Sequence, residues 1–91
     1  MRGKQLDDVV DICGMLGDAT RAEIIAILAK GSKSVTQLCN ELKVAQPMTS
    51  YHLALLRMGK LLIRNRRGKQ MIYSLNKERL KPVEKFLAEV K

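Results

Sequence analysis

Ser34-Val-Thr-Gln-Leu-Cys-Asn-Glu-Leu-Lys43-Val-Ala-Gln-Pro-Met-Thr-Ser-Tyr-His-Leu-Ala-Leu-Leu-Arg-Met58 contains two helix starts in close succession. Ser34 with Gln37 forms a capping box, in which a hydroxyl and an amide each satisfy a backbone N–H that the first turn leaves open. It opens a short helix over about residues 35–42, with Val35, Leu38, Cys39 and Leu42 turned inward. Lys43-Val44-Ala45 has room only for a tight turn. Pro47 then falls in the first turn of the next helix, where its missing N–H costs nothing, and Gly59 ends that helix after Met58. Its core stripe is Thr49, Leu53 and Leu56, with Pro47, Ser50, Tyr51 and Ala54 on the opposite side. A short helix, a tight turn and a second helix with small and polar residues at its exposed start make a helix-turn-helix.

Downstream the period changes. Leu61, Ile63 and Asn65 alternate with Leu62, Arg64 and Arg66, and Arg67-Gly68-Lys69 separates them from Gln70-Met-Ile-Tyr-Ser-Leu75. Two short segments rich in Ile, Leu and Tyr around a Gly turn predict a β-hairpin. Asn76 is placed to cap a last helix over about residues 77–90, carrying Leu80, Val83, Phe86, Leu87 and Val90 on one face, with Pro82 in its first turn or at its start. Upstream, Leu6, Val9, Val10, Cys13 and Leu16 mark an amphipathic helix over 5–16 that Gly17 stops. Asp18 caps a second helix, about 19–30, which is apolar over more than half its circumference and is expected at the centre of the core. The expected fold is mainly α with a small β-hairpin (α+β), a single domain over residues 1–91. Its order is helix, helix, short extended segment (Ser32 to Ser34), helix, helix, strand, strand, helix. A basic hairpin directly behind a helix-turn-helix makes it a winged helix.

The charge is concentrated in one place. The chain has 17 Lys and Arg against nine Asp and Glu, a formal +8 over 91 residues. Residues 42–77 hold Lys43, Arg57, Lys60, Arg64, Arg66, Arg67, Lys69 and Lys77 with no acid, so this block equals the whole net charge. A solvated face usually mixes signs, so an acid-free block is a candidate binding surface for a polyanion. The terminal helices are nearly neutral. Enzyme chemistry is not expected: no metal, nucleotide or triad motif is present, and His52 has no carboxylate or nucleophile near it in sequence. Two cysteines without C-x-x-C spacing exclude a disulfide scaffold. Met1-Arg2-Gly3-Lys4 resembles a signal n-region, but Asp7, Asp8 and Asp11 interrupt any apolar run. The longest such run, Ile24 to Ala29, cannot span a bilayer. No membrane association is expected; the expected location is the prokaryotic cytoplasm, on the nucleoid.

Three segments resemble one family. Leu16-Gly-Asp-Ala-Thr-Arg-Ala-Glu-Ile-Ile-Ala-Ile-Leu28 is similar to the "L-x-D-x-T-R-x-x-I-L-x-x-L" segment of ArsR/SmtB-type bacterial repressors. Ala45-Gln-Pro-Met-Thr-Ser-Tyr-His-Leu53 resembles that family's "S-Q-P-T-V-S-x-H-L" recognition helix. Gly59-Lys-Leu-Leu-Ile63, Arg67-Gly68-Lys69 and Tyr73-Ser-Leu75 resemble its "G-L-V…R-x-G-r…Y-x-L" wing. The resemblance covers roughly residues 6–90 and implies a homodimeric winged-helix repressor of double-stranded DNA, its first and last helices forming the dimer interface. That agrees with the apolar residues of the two terminal helices, Leu6, Val9, Val10 and Cys13 with Leu80, Val83, Phe86, Leu87 and Val90, on a chain too small to cover them. An isologous dimer sets two recognition helices about 34 Å apart over a palindromic operator.

Base contacts are expected from Gln46, whose amide suits adenine, from Met48 against a thymine methyl, from Ser50 and Tyr51, and from Thr49 at the helix entry unless it packs inward. Backbone contacts are expected from Lys43, Arg57, Lys60, Arg64, Arg66, Arg67 and Lys69, and from His52, which is otherwise a satisfied core-edge imidazole. The family's metal motifs are missing. The short helix begins Ser34-Val-Thr-Gln37 where metal sensors carry "C-V-C", Cys39 lies three residues past the second cysteine position, and the last helix has no histidine. Zinc or arsenic sensing is therefore not expected, no cofactor is assigned, and a carboxylate site from Glu84 and Glu89 with a partner's Asp7 or Asp11 is a minor alternative. Cys13 and Cys39 are expected as small apolar fillers on inward faces, in preference to a redox pair. The effector, whether a small molecule or redox, stays unidentified. Two rival readings are a winged-helix protein–protein module and a thiol-redox-sensing repressor using Cys13 and Cys39.

Overall fold

The computed structural model describes residues 3–91; Met1 and Arg2, part of the basic start, lie outside them. The elements are α1 (Lys4–Leu16), α2 (Ala19–Leu28), β1 (Lys33–Ser34), α3 (Val35–Leu42), α4 (Gln46–Met58), β2 (Leu62–Arg67), β3 (Gln70–Leu75), a 3-10 turn (Lys77–Leu80) and α5 (Lys81–Glu89). Short polar side chains begin two of the helices. Asp18 Oδ2 accepts the Arg21 N–H at 3.0 Å and starts α2. Ser34 Oγ accepts the Gln37 N–H at 3.2 Å while Gln37 Oε1 accepts the Ser34 N–H at 2.9 Å, so the capping box is closed in both directions. Ser34→Ala is expected to lower the unfolding free energy by about 1 kcal/mol, read as a lower urea midpoint at unchanged slope. An unmoved midpoint would show the box idle.

β1 is more than a connection: Lys33 and Ser34 pair antiparallel with Tyr73 and Ile72, and β3 also pairs with β2, giving the order β1-β3-β2. The β2–β3 loop is Gly68-Lys69, and Gly68 carries the positive φ (64°) that a II′ turn requires at its first central position. The last helix is shorter than its apolar spacing implied. Lys77–Leu80 is 3-10, and the α-helix starts at Lys81 with Pro82 in its first turn. Asn76 does not cap it; its Nδ2 donates to the Lys60 carbonyl at 2.9 Å instead.

α4 ends in a Schellman arrangement. The Leu61 N–H reaches the Leu56 carbonyl and the Lys60 N–H the Arg57 carbonyl, both at 2.9 Å. The C′ position is therefore Lys60, with φ 66°, in a conformation that glycine usually takes.

The core is Ile12, Ile24, Leu28, Leu38, Leu42, Leu53, Leu56, Leu61, Leu62 and Tyr73. α2 contributes Ile24 and Leu28 to it, with Ile25 and Ile27 half-buried against it. α1 has two apolar faces. Val9 and Ile12 are buried in the protomer's own core, while Leu6, Val10 and Cys13 are exposed on another face. Cys13 is thus not an inward filler, and Val9 is not free to meet a partner. Cys39 is half-buried, and both thiols are free. Among the described residues no helix is long and apolar enough to cross a membrane.

Candidate nucleic-acid interface

α4 divides along its length. Thr49, His52, Leu53 and Leu56 are buried, at i, i+3, i+4 and i+7, while Gln46, Met48, Ser50 and Tyr51 are exposed. Tyr51 is 56% exposed and Met48 51%, so both stand clear of the fold at the helix's N-terminal half. The wing behind it projects even further. Of β2 only Leu62 is buried, and Arg64, Arg66 and Arg67 are all exposed. Across the ladder Arg64 faces Tyr73, Arg66 faces Met71 and Arg67 faces Gln70. Arg66 Nε also donates to the Gly68 carbonyl at 3.2 Å, which ties that guanidinium to the hairpin turn. Lys43, in the turn before α4 with φ 57°, is exposed, as are Arg57, Lys60 and Lys69.

Burial decides two positions left open, Thr49 and His52, against the expected DNA contacts. Thr49 is 0% exposed, and its hydroxyl donates to the Val44 carbonyl at 3.4 Å, so it packs beneath α4 and does not meet bases. His52 is 7% exposed, with no surface for a phosphate. Its Nδ1 lies 3.2 Å from Arg21 Nη1. A guanidinium only donates, so Nδ1 is the acceptor. The His52 ring also packs edge-on against Tyr51, centroids 5.2 Å apart.

Arg21 is the residue that sequence reasoning missed. Its Nε donates to the Met15 carbonyl at the end of α1 at 2.8 Å, its Nη1 to His52 in α4, and its own N–H to the Asp18 cap. One half-buried side chain thereby joins α1, α2 and α4. Asp18 Oδ2 is 4.0 Å from His52 Nδ1. The Asp18 carboxyl is held below its ordinary 3.8, first by the Arg21 backbone N–H and further by the neighbouring His52 and the Arg21 charge, against a small opposing effect of burial. A lowered acid contributes stability above its ordinary pKa and loses it as pH falls through the lowered one, so this cap stays charged across the neutral range.

Arg79 makes a second such tie: Nε donates to the Gly59 carbonyl at 3.0 Å and Nη1 pairs with Asp8 Oδ1 at 3.1 Å. Among the described residues no group of three or more His, Cys, Asp or Glu is arranged to hold a metal ion.

Residues 18–59 match the family described as "Bacterial regulatory protein, arsR family". The HTH-type transcriptional regulator KmtR of Mycobacterium tuberculosis is 37% identical over 80% of this chain and 56% of its own length. The transcriptional repressor PagR of Bacillus anthracis is 34% identical over 90% of this chain and 83% of its own. The chain therefore spans little more than half of the mycobacterial protein and most of the Bacillus one. A solved structure, HlyU from Vibrio cholerae, superposes with a TM-score of 0.84 over 98% of this chain and 97% of that one, at 24% identity, a likeness of fold.

Proposed function

The chain belongs to the arsR family of bacterial regulatory proteins, and from that premise we propose that it is a sequence-specific repressor, binding double-stranded DNA as a homodimer on a palindromic operator. The family's members are transcriptional regulators and not enzymes. In this reading the exposed face of α4, with Gln46, Met48, Ser50 and Tyr51, lies in the major groove, and the wing runs along the backbone or the adjacent minor groove. The observation that carries it is the acid-free stretch of exposed cations. Lys43, Arg57, Lys60, Arg64, Arg66, Arg67 and Lys69 are all exposed, and residues 42–77 contain no Asp or Glu. Exposed cations in such a run repel one another unless a polyanion neutralises them, and duplex DNA supplies closely spaced phosphates.

Base readout and charge make separable contributions. Changing Arg67 and Lys69 to Ala is expected to weaken binding to every duplex, and to reduce the slope of log affinity against log salt by about 1–2. An unchanged slope would take the wing off the DNA. Gln46→Ala is expected to relax discrimination between sites, by about 1–3 kcal/mol at one base pair; selection of bound duplexes from a random pool reads this directly. Uniform weakening would argue against base readout, and no binding to any duplex would favour a protein–protein module.

A further inference from the structure

A cleft lies between α1, the C-terminal end of α4 and the 3-10 turn, and Lys60, given above to the DNA backbone, stands at its rim. It measures about 530 Å³, within the range of small-molecule sites. Its floor is the Arg79–Asp8 pair, which already neutralises itself. Three charged walls remain: Lys4 and Lys60 are cationic and Asp11 anionic, and none of the three side chains has a hydrogen bond or ion pair among the described residues. Met15 and Met58 complete the lining with thioether surface. Lys4 and Asp11 are seven residues apart on α1, hence roughly 10 Å along its axis on one face.

We propose that this cleft is an effector site for an extended zwitterion, a molecule with an ammonium and a carboxylate separated by several carbons. Its ammonium meets Asp11, its carboxylate meets Lys4 and Lys60, and its methylenes lie against the methionines. A simple anion would face the Asp11 carboxylate, and a simple cation the two lysines, so only a ligand carrying both charges satisfies the walls. The chemistry differs from metal sensing, which needs converging thiolate or imidazole ligands.

The site is also placed to act on DNA binding, a step that rests on the repressor reading. Arg79 joins the floor to the Gly59 carbonyl at the end of α4. Gly59 itself is closed over by Met15: a Cβ there would run into the Met15 sulfur and methyl. A ligand that moves Met15 or draws on Arg79 therefore pushes on the end of the recognition helix from α1.

The test uses the intact protein. Isothermal titration without DNA, with ω-amino acids from 4-aminobutyrate to 8-aminooctanoate, is expected to give saturable binding at or below about 1 mM for at least one length. The matching alkylamines and carboxylates are expected to bind at least tenfold more weakly. Asp11→Asn and Lys4→Gln should each weaken the titration tenfold or more and leave ligand-free melting and DNA affinity unchanged. Saturating ligand is expected to shift DNA affinity by about fivefold or more. No saturation by any length, or unchanged binding to Asp11→Asn, overturns the site; binding with unmoved DNA affinity overturns its regulatory role. Ligand-free gel shifts test the repressor reading separately, because the titration contains no DNA.

Discussion

Arg21→Ala is expected to destabilise the protein by about 3 kcal/mol, a large share of the 5–15 kcal/mol typical of a domain. The loss has two parts. The Met15 carbonyl at the end of α1 loses the Arg21 donor, and the buried His52 Nδ1 loses its hydrogen bond to Arg21 Nη1 at 3.2 Å. A stranded buried acceptor such as His52 Nδ1 costs about 1–3 kcal/mol, and the half-buried Met15 carbonyl adds the smaller worth of an ordinary hydrogen bond, about 1 kcal/mol. Arg21→Lys should recover little, because an ammonium on a flexible stem cannot serve two acceptors as the planar fork does. Chemical denaturation of Arg21→Ala, His52→Ala and the double variant checks this. The second change should cost much less on the background of the first, and strict additivity would mean the two side chains are not coupled. Operator affinity should fall alongside, since the same guanidinium sets α4 against α1.

Leu87→Glu is expected to act on association and leave the protomer's fold nearly untouched. Leu87 is 57% exposed and Val90 62%, both on α5, and Val10 on α1 is 62% exposed. α1 and α5 pack on each other, so these side chains extend a surface whose inner part is already built. Large apolar residues left in water at this density mark an interface, and a carboxylate in its middle must be desolvated or must open it. In sedimentation velocity at micromolar concentration the parent should run as a dimer and the variant as a monomer. Operator affinity should fall about 100-fold or more, because the second half-site contact is no longer intramolecular. A dimeric variant, or a monomeric parent, would locate the self-association elsewhere or remove it.

Much of this architecture was legible along the chain, because it rests on local chemistry. The Asp18 cap, the Ser34–Gln37 box, the Pro47 start and the Gly68 turn act over three or four residues, and each appears where those residues place it. What local chemistry does not specify is which distant groups meet. Arg21 reaches across 31 positions to His52 and Arg79 across 71 to Asp8, and a single sequence carries no signal of either pairing. Where polar identity left two readings open, period decided: Thr49 and His52 complete the i, i+3, i+4, i+7 stripe with Leu53 and Leu56, so helical period outranks the chemistry of the side chain there. The stripe chosen for the first helix, Leu6 to Leu16, passed over Ile12, which is fully buried. It merged two faces of α1 into one, because both are apolar and only one belongs to the protomer's own core.

The strand order leaves β2 at the rim of the sheet, with one side of its backbone unpaired. Such a rim is a template on which a neighbouring molecule's strand can dock, and chains of such docking grow into fibres. Here the rim carries Arg64, Arg66 and Arg67 within four residues, so two copies approaching edge to edge repel before their amides align. The arginines assigned to gripping phosphate thereby also act as gatekeepers against aggregation in every molecule not on DNA. Variants made to loosen the grip will need a replacement charge on that strand to stay in solution.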